Sequence, residues 1–151
     1  MPEITQSLID RLTSADPKLT AERQLKASLR RDLEWLLNTR RIVVPPPESL
    51  LELNRSLYVY GLPDFSSYSL NSPKDRNRLV RALETTISIF EPRLIDVKVV
   101  PMEMSGTTAR MMRFQIEGLL LMDPAPEQVS FDTVLQLTSG EYQVKGEKNA
   151  G

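Results

Sequence analysis

Leu83-Glu84-Thr85-Thr86-Ile87-Ser88-Ile89-Phe90-Glu91-Pro92-Arg93-Leu94-Ile95-Asp96-Val97-Lys98-Val99 decides the fold, because helical spacing gives way to strand alternation inside it. Leu79, Leu83, Ile87 and Phe90 recur every three or four residues, which lines one face of a helix. Pro92 fixes its own φ and pushes Glu91 out of the α region, so the helix ends there. Beyond Arg93 the period becomes two: Ile95, Val97 and Val99 alternate with Asp96 and Lys98. In an extended segment residues two apart point the same way, so Glu91 and Arg93 project together as an acceptor and a bidentate donor.

Upstream of the junction the chain reads as helical. Ser72-Pro73-Lys74-Asp75 is a helix start: Ser72 caps, Pro73 suits the first position and Asp75 reaches back as in a capping box. The helix predicted from Pro73 to about Phe90 carries Lys74, Arg76, Arg78, Arg81 and Glu84 on its polar face, basic near its beginning. From Thr20 to about Arg40, Leu25, Leu29, Leu33, Leu36 and Leu37 mark a second amphipathic helix. Pro45-Pro46-Pro47 enforces an extended path, and Glu48 to Leu57 has the leucines for a shorter helix before the breakers Gly61 and Pro63.

Downstream, Met112, Phe114 and Ile116 form one alternating set, and Val129, Phe131, Thr133, Leu135 and Leu137 another. Turns fall at Ser105-Gly106-Thr107-Thr108 and at Asp123-Pro124-Ala125-Pro126, so the three strands make an antiparallel meander. The expected architecture is α+β, with N-terminal helices packed on a small antiparallel three-stranded sheet. Residues 1–19 read as a flexible arm, 20–138 as a single domain and 139–151 as a flexible, solvated tail.

Composition narrows the chemistry. The 151 residues suit one core, and 40% hydrophobic with 26% charged residues is ordinary for a globular domain. Cysteine and histidine are both absent, which removes disulfides, thiolate nucleophiles, Cys/His zinc sites and Ser-His-Asp triads. A net charge of −1 provides no field for nucleic acid. No apolar run approaches the roughly 20 residues of a membrane span, and Met1 to Ser7 lack the pattern of a secretory signal, so a cytoplasmic location is expected.

Four stretches, Leu29-Arg30-Arg31-Asp32-Leu33-Glu34-Trp35-Leu36-Leu37-Asn38-Thr39-Arg40-Arg41, Tyr60-Gly61-Leu62-Pro63-Asp64-Phe65-Ser66, Phe90-Glu91-Pro92-Arg93-Leu94 and Phe114-Gln115-Ile116-Glu117-Gly118-Leu119-Leu120, carry a resemblance in their order and spacing. Together they resemble the TssE family, the small baseplate wedge component of bacterial type VI secretion systems, which is related to wedge proteins of contractile phage tails. The resemblance implies a structural, non-enzymatic subunit of a baseplate docked at the inner membrane. Implied partners are the baseplate proteins TssF and TssG, with TssK as a further candidate, and the sheath proteins TssB and TssC. It also makes Glu91, Pro92 and Arg93 the family's signature motif.

Partner binding is therefore expected at Glu91, Pro92 and Arg93, with alanine in place of Glu91 or Arg93 leaving the thermal midpoint nearly unchanged. Leu62, Pro63 and Phe65 read either as a plug for the core or as an apolar knob for a partner. Trp35, Phe90 and Phe114 read as core. Arg30, Arg31, Arg40 and Arg41 meet solvent or an acidic partner surface. A strand edge, Ile95 to Val100 or Ser130 to Thr138, could accept a strand from the sheath.

No catalytic residue, metal or cofactor is assigned. The alternatives are a lysozyme-like glycoside hydrolase and a free-standing adaptor. A hydrolase needs a protonated carboxyl, for which Glu84 and Glu91 are the candidates. A guanidinium beside Glu91 favours the charged form instead.

Overall fold

The computed structural model describes residues 8–13, 20–102, 111–136 and 141–147. Two long helices carry the first half: α2 spans Ala21–Asn38 and α3 spans Pro73–Phe90, after a one-turn α1 at Leu8–Leu12. Each long helix starts where its sequence says. The Thr20 hydroxyl accepts from the Arg23 N–H and the Ser72 hydroxyl from the Asp75 N–H, both at 3.4 Å, satisfying donors that have no partner inside the helix. Asp75 reaches further back than a capping box requires and takes the Ser69 N–H at 3.1 Å.

Four strands follow, β1 (Leu94–Met102), β2 (Met111–Leu120), β3 (Glu127–Gln136) and β4 (Glu141–Glu147), as an antiparallel meander in the order β1-β2-β3-β4. The expected three-stranded sheet is thus corrected to four. The segment read as tail contains Tyr142 and Val144 alternating with Gln143 and Lys145, and that short period-two signal pairs with β3 through Leu135↔Tyr142 and Thr133↔Val144. The Ser105 to Thr108 turn lies outside the described residues. The turn at Asp123–Pro126 is present, with a cis peptide before Pro124.

Between Glu48 and Leu57 the leucines do not make an α-helix. Turns lead into two short 3₁₀ segments, Leu53–Arg55 and Leu57–Val59, and Asn54 ties the turn by donating to the Pro47 and Leu50 carbonyls at 2.9 and 3.0 Å. Three prolines just upstream and a run too short to nucleate a helix explain the difference.

Both helices cover one face of the sheet, α3 along β1 and α2 along β4. Leu29, Leu33, Leu36 and Leu37 from α2 and Leu79, Leu83 and Ile87 from α3 meet Phe114, Ile116, Leu120, Val129, Phe131 and Leu135 from the sheet in a single buried cluster. Complete burial of Phe114 and Phe131 stabilises by about 1.5–3 kcal/mol each. Trp35, expected in this core, is instead 49% exposed, with the Arg31 guanidinium stacked 5.1 Å from its ring centre. Its one-position offset from the leucine stripe turns it outward, where the cation covers its face.

β1 departs from simple alternation. Ile95 pairs with Leu119 but Lys98 pairs with Glu117, so Asp96 and Val97 together oppose Gly118 in a bulge. Asp96 takes φ 53° there, a left-handed conformation that Asp tolerates better than most residues. The bulge shifts the inward phase, burying Leu94 and Val99 while leaving Ile95 39% exposed. Ser130 to Gln136, read as a possible sheet edge, lies in β3 between β2 and β4, so the two edges are β1 and β4.

Candidate functional site

The junction Glu91-Pro92-Arg93 is where α3 is handed to β1. Glu91 caps α3, its N–H bonding to the Ile87 carbonyl at 2.8 Å, and the Leu94 N–H returns to the Glu91 carbonyl at 3.1 Å. Arg93 then joins the sheet level, its carbonyl accepting the Leu121 N–H at 2.8 Å. This tight corner aims both charged side chains inward and leaves Pro92 exposed.

Arg93 grips Glu91 with two parallel bonds, Nε to Oε1 at 2.6 Å and Nη2 to Oε2 at 2.7 Å. The same guanidinium donates to Asp32 Oδ2 at 2.6 Å and to Ser28 Oγ at 3.1 Å, both on α2. Arg31 closes the network, donating to Asp32 Oδ1 from Nε at 3.1 Å and from Nη2 at 2.9 Å, and to Asp10 of α1 at 3.0 Å. Ser28 donates to the other Asp10 oxygen at 2.6 Å. The junction is therefore bolted to α2, and α1 to the same bolt.

Glu91 keeps 6% of its side-chain exposure and Arg93 15%, so the two side chains that the sequence puts on one face point inward. Burial alone would lower the Arg93 pKa, but the hydrogen bonds and charge of Glu91, and then of Asp32, outweigh it and hold the value above the ordinary arginine range. Tyr60 stands beside the network, and burial followed by the charges of Asp32 and Glu91 raises its pKa. Its ring meets Phe90 edge to face at 5.2 Å.

The second predicted set divides. Leu62 is 3% exposed and belongs to the core, while Pro63 and Phe65 are half-buried. They line a groove of about 540 Å³ with Glu34, Asn38, Arg40 and Tyr142. Gly61 makes this loop possible: its φ is 108°, and a Cβ there would lie 2.3 Å from the Thr39 carbonyl oxygen. The Leu62 N–H bonds to the Thr39 carbonyl and the Arg41 N–H to the Leu62 carbonyl, both at 2.8 Å, fixing the loop on the end of α2.

Sequence reasoning missed Ser28, Asp32 and Asn38. Asn38 closes the groove by clamping the outer edge of β4: its amide donates to the Tyr142 carbonyl at 2.9 Å and accepts the Tyr142 N–H at 2.8 Å. As for the carboxylates weighed for hydrolysis, Glu91 is held by Arg93, and Glu84 accepts the Val99 N–H at 2.9 Å. They serve different parts of the fold. Among the described residues no three Asp or Glu side chains gather as a metal site, and no helix is long and apolar enough to cross a membrane.

An α+β layer with two helices on one face of a meander is also the fold of a chain in a solved structure described as the baseplate complex from the type VI secretion system. That likeness has a TM-score of 0.52 at 22% identity, covering 76% of this chain and 97% of the other. The baseplate wedge protein gp25 family matches residues 23–125, and the chain belongs to that family. No curated protein matches it.

Proposed function

We propose that the chain is a TssE-like structural subunit of a type VI secretion baseplate. In this reading it joins the wedge proteins TssF and TssG, with TssK as a further neighbour, to the first TssB and TssC ring, and helps sheath assembly begin. It works in the cytoplasm, in a baseplate docked at the inner membrane, and turns over no substrate. The observation that carries the reading is that the gp25 family match over residues 23–125 covers α2 from its third residue, all of α3, the Glu91 to Arg93 junction and the first two strands.

Besides a sheet edge, partners meet the chain at two places in this proposal. One is the exposed Pro92 with the rim of the Glu91 and Arg93 network, whose inward bonds hold the corner rigid. The other is the groove bordered by Pro63 and Phe65, seated on Leu62. Of the sheet edges, β1 is poorly suited to accept a strand: its bulge interrupts the ladder, Glu84 occupies the Val99 N–H and Pro101 has no donor. At β4 Asn38 occupies Tyr142, and the next outward position is Val144. Strand addition by a sheath subunit is assigned to that end of β4.

Affinity purification of the tagged chain from cells that express the secretion system, in mild salt, tests this. Wedge and sheath proteins should travel with it. Recovery of one unrelated soluble protein in stoichiometric amount, without baseplate components, would overturn the reading in favour of an adaptor.

A further inference from the structure

The outer face of α3 carries Lys74, Arg78 and Arg81 at helical positions i, i+4 and i+7, all exposed and diametrically opposite the buried Leu79, Leu83 and Ile87. None of the three has an ion-pair partner among the described residues. The nearest acids on the helix are engaged elsewhere, Asp75 with the Ser69 N–H and Glu84 with the Val99 N–H.

The arrangement works against the free protein. Like charges at i, i+4 and i, i+3 repel, and Lys74 lies in the first turn, where the helix macrodipole disfavours a cation. In a chain of net charge −1 an anionic neighbour would relieve this self-repelling stripe.

We propose that this face of α3 docks an acidic amphipathic helix of another baseplate or sheath protein. The three cations span about 10 Å along the axis, and carboxylates at i, i+4 and i+7 of a facing helix repeat that spacing, pairing in bidentate fashion with Arg78 and Arg81 and through a single ammonium with Lys74. A lipid surface fits less well, because Thr85 and Ser88 continue the stripe and Ile89 alone adds apolar surface beside them. The inference rests on the baseplate reading and adds to it a surface remote from the Glu91 corner.

The test uses the full chain and the variant Lys74→Glu/Arg78→Glu/Arg81→Glu, both tagged and co-expressed with the wedge and sheath proteins. Native chain should capture them, and the reversed variant, with an unchanged circular dichroism spectrum, should bind about 100-fold more weakly. The neutral variant Lys74→Gln/Arg78→Gln/Arg81→Gln should melt about 2–4 °C higher than the native chain, keeping the inference testable if charge reversal unfolds the protein. Equal capture by native and reversed chains, or a lower melting point for the neutral one, overturns it. So does tighter binding of native chain to phosphatidylglycerol vesicles or duplex DNA than to the captured proteins. Failure of the native chain itself to capture any baseplate or sheath protein would instead sink the baseplate reading.

Discussion

Arg93 holds both carboxylate oxygens of Glu91 while its Nη2 also reaches Asp32, 61 positions earlier in the chain. The corner between α3 and β1 is thereby tied to the middle of α2. A pair so placed sets the geometry of everything around it, including the exposed Pro92.

Removing Arg93 should therefore cost stability, contrary to what a surface pair would show. Arg93→Ala leaves Glu91 and Asp32 without their shared donor and is expected to lose about 2–4 kcal/mol; Arg93→Lys keeps the charge and should lose less, but not nothing, because one ammonium cannot make the fork. Urea unfolding reads both. A midpoint within error of the native chain for Arg93→Ala would mean that the network contributes nothing to folding.

The two halves of that network explain what the sequence could and could not disclose. The end of α3 and the start of β1 were legible because Pro92 and the change of period act locally. So was the start of α3, from Ser72 and Pro73. Asp32 and Ser28 were not, because nothing in their spacing says which residue 61 or 65 positions away will face them. β4 was hidden for another reason: only Tyr142 and Val144 carry its inward face, between Gly140 and Gly146, too few residues to separate a strand from a tail. The exposure of Trp35 follows from its offset, but the cation covering it is a tertiary fact.

Asn38 substitutes for a neighbouring strand at Tyr142, and its loss should be felt locally. Asn38→Ala is expected to cost about 1–2 kcal/mol and to speed amide hydrogen exchange at Tyr142 more than at the central strand β2. Asn38→Asp keeps the acceptor for the Tyr142 N–H but loses the donor, and should fall between the two. Uniform exchange rates across β4 and β2 in Asn38→Ala would show that the clamp has no local effect.

Gly118 sits where β1 bulges. A Cβ there would lie 2.9 Å from Leu94 Cδ1 and 3.0 Å from the Ile95 carbonyl oxygen. The backbone atom cannot step aside as a side chain can, so Gly118→Ala should destabilise by about 1–3 kcal/mol. Thermal unfolding checks the size, and chemical shifts at Asp96 and Val97 check that the bulge is what moves.

Tyr142 gives the chain a pH dependence in the alkaline range. Its hydroxyl is buried without a hydrogen-bond partner among the described residues, and its ring meets Phe114 edge to face at 6.1 Å. Burial pushes its pKa above the ordinary value, which for tyrosine is about 10. The folded chain then keeps a proton that the unfolded chain releases, so stability is fully present below the unfolded value and declines as pH rises above about 10. Tyr142→Phe keeps the ring contact and removes the unsatisfied hydroxyl. It should be at least as stable as the native chain at neutral pH and show a shallower decline between about pH 9 and 11. The decline does not vanish, because Tyr60 is shifted in the same direction. Denaturant midpoints for both proteins across that range decide the matter: parallel curves would mean that Tyr142 ionises as freely in the fold as in the unfolded chain.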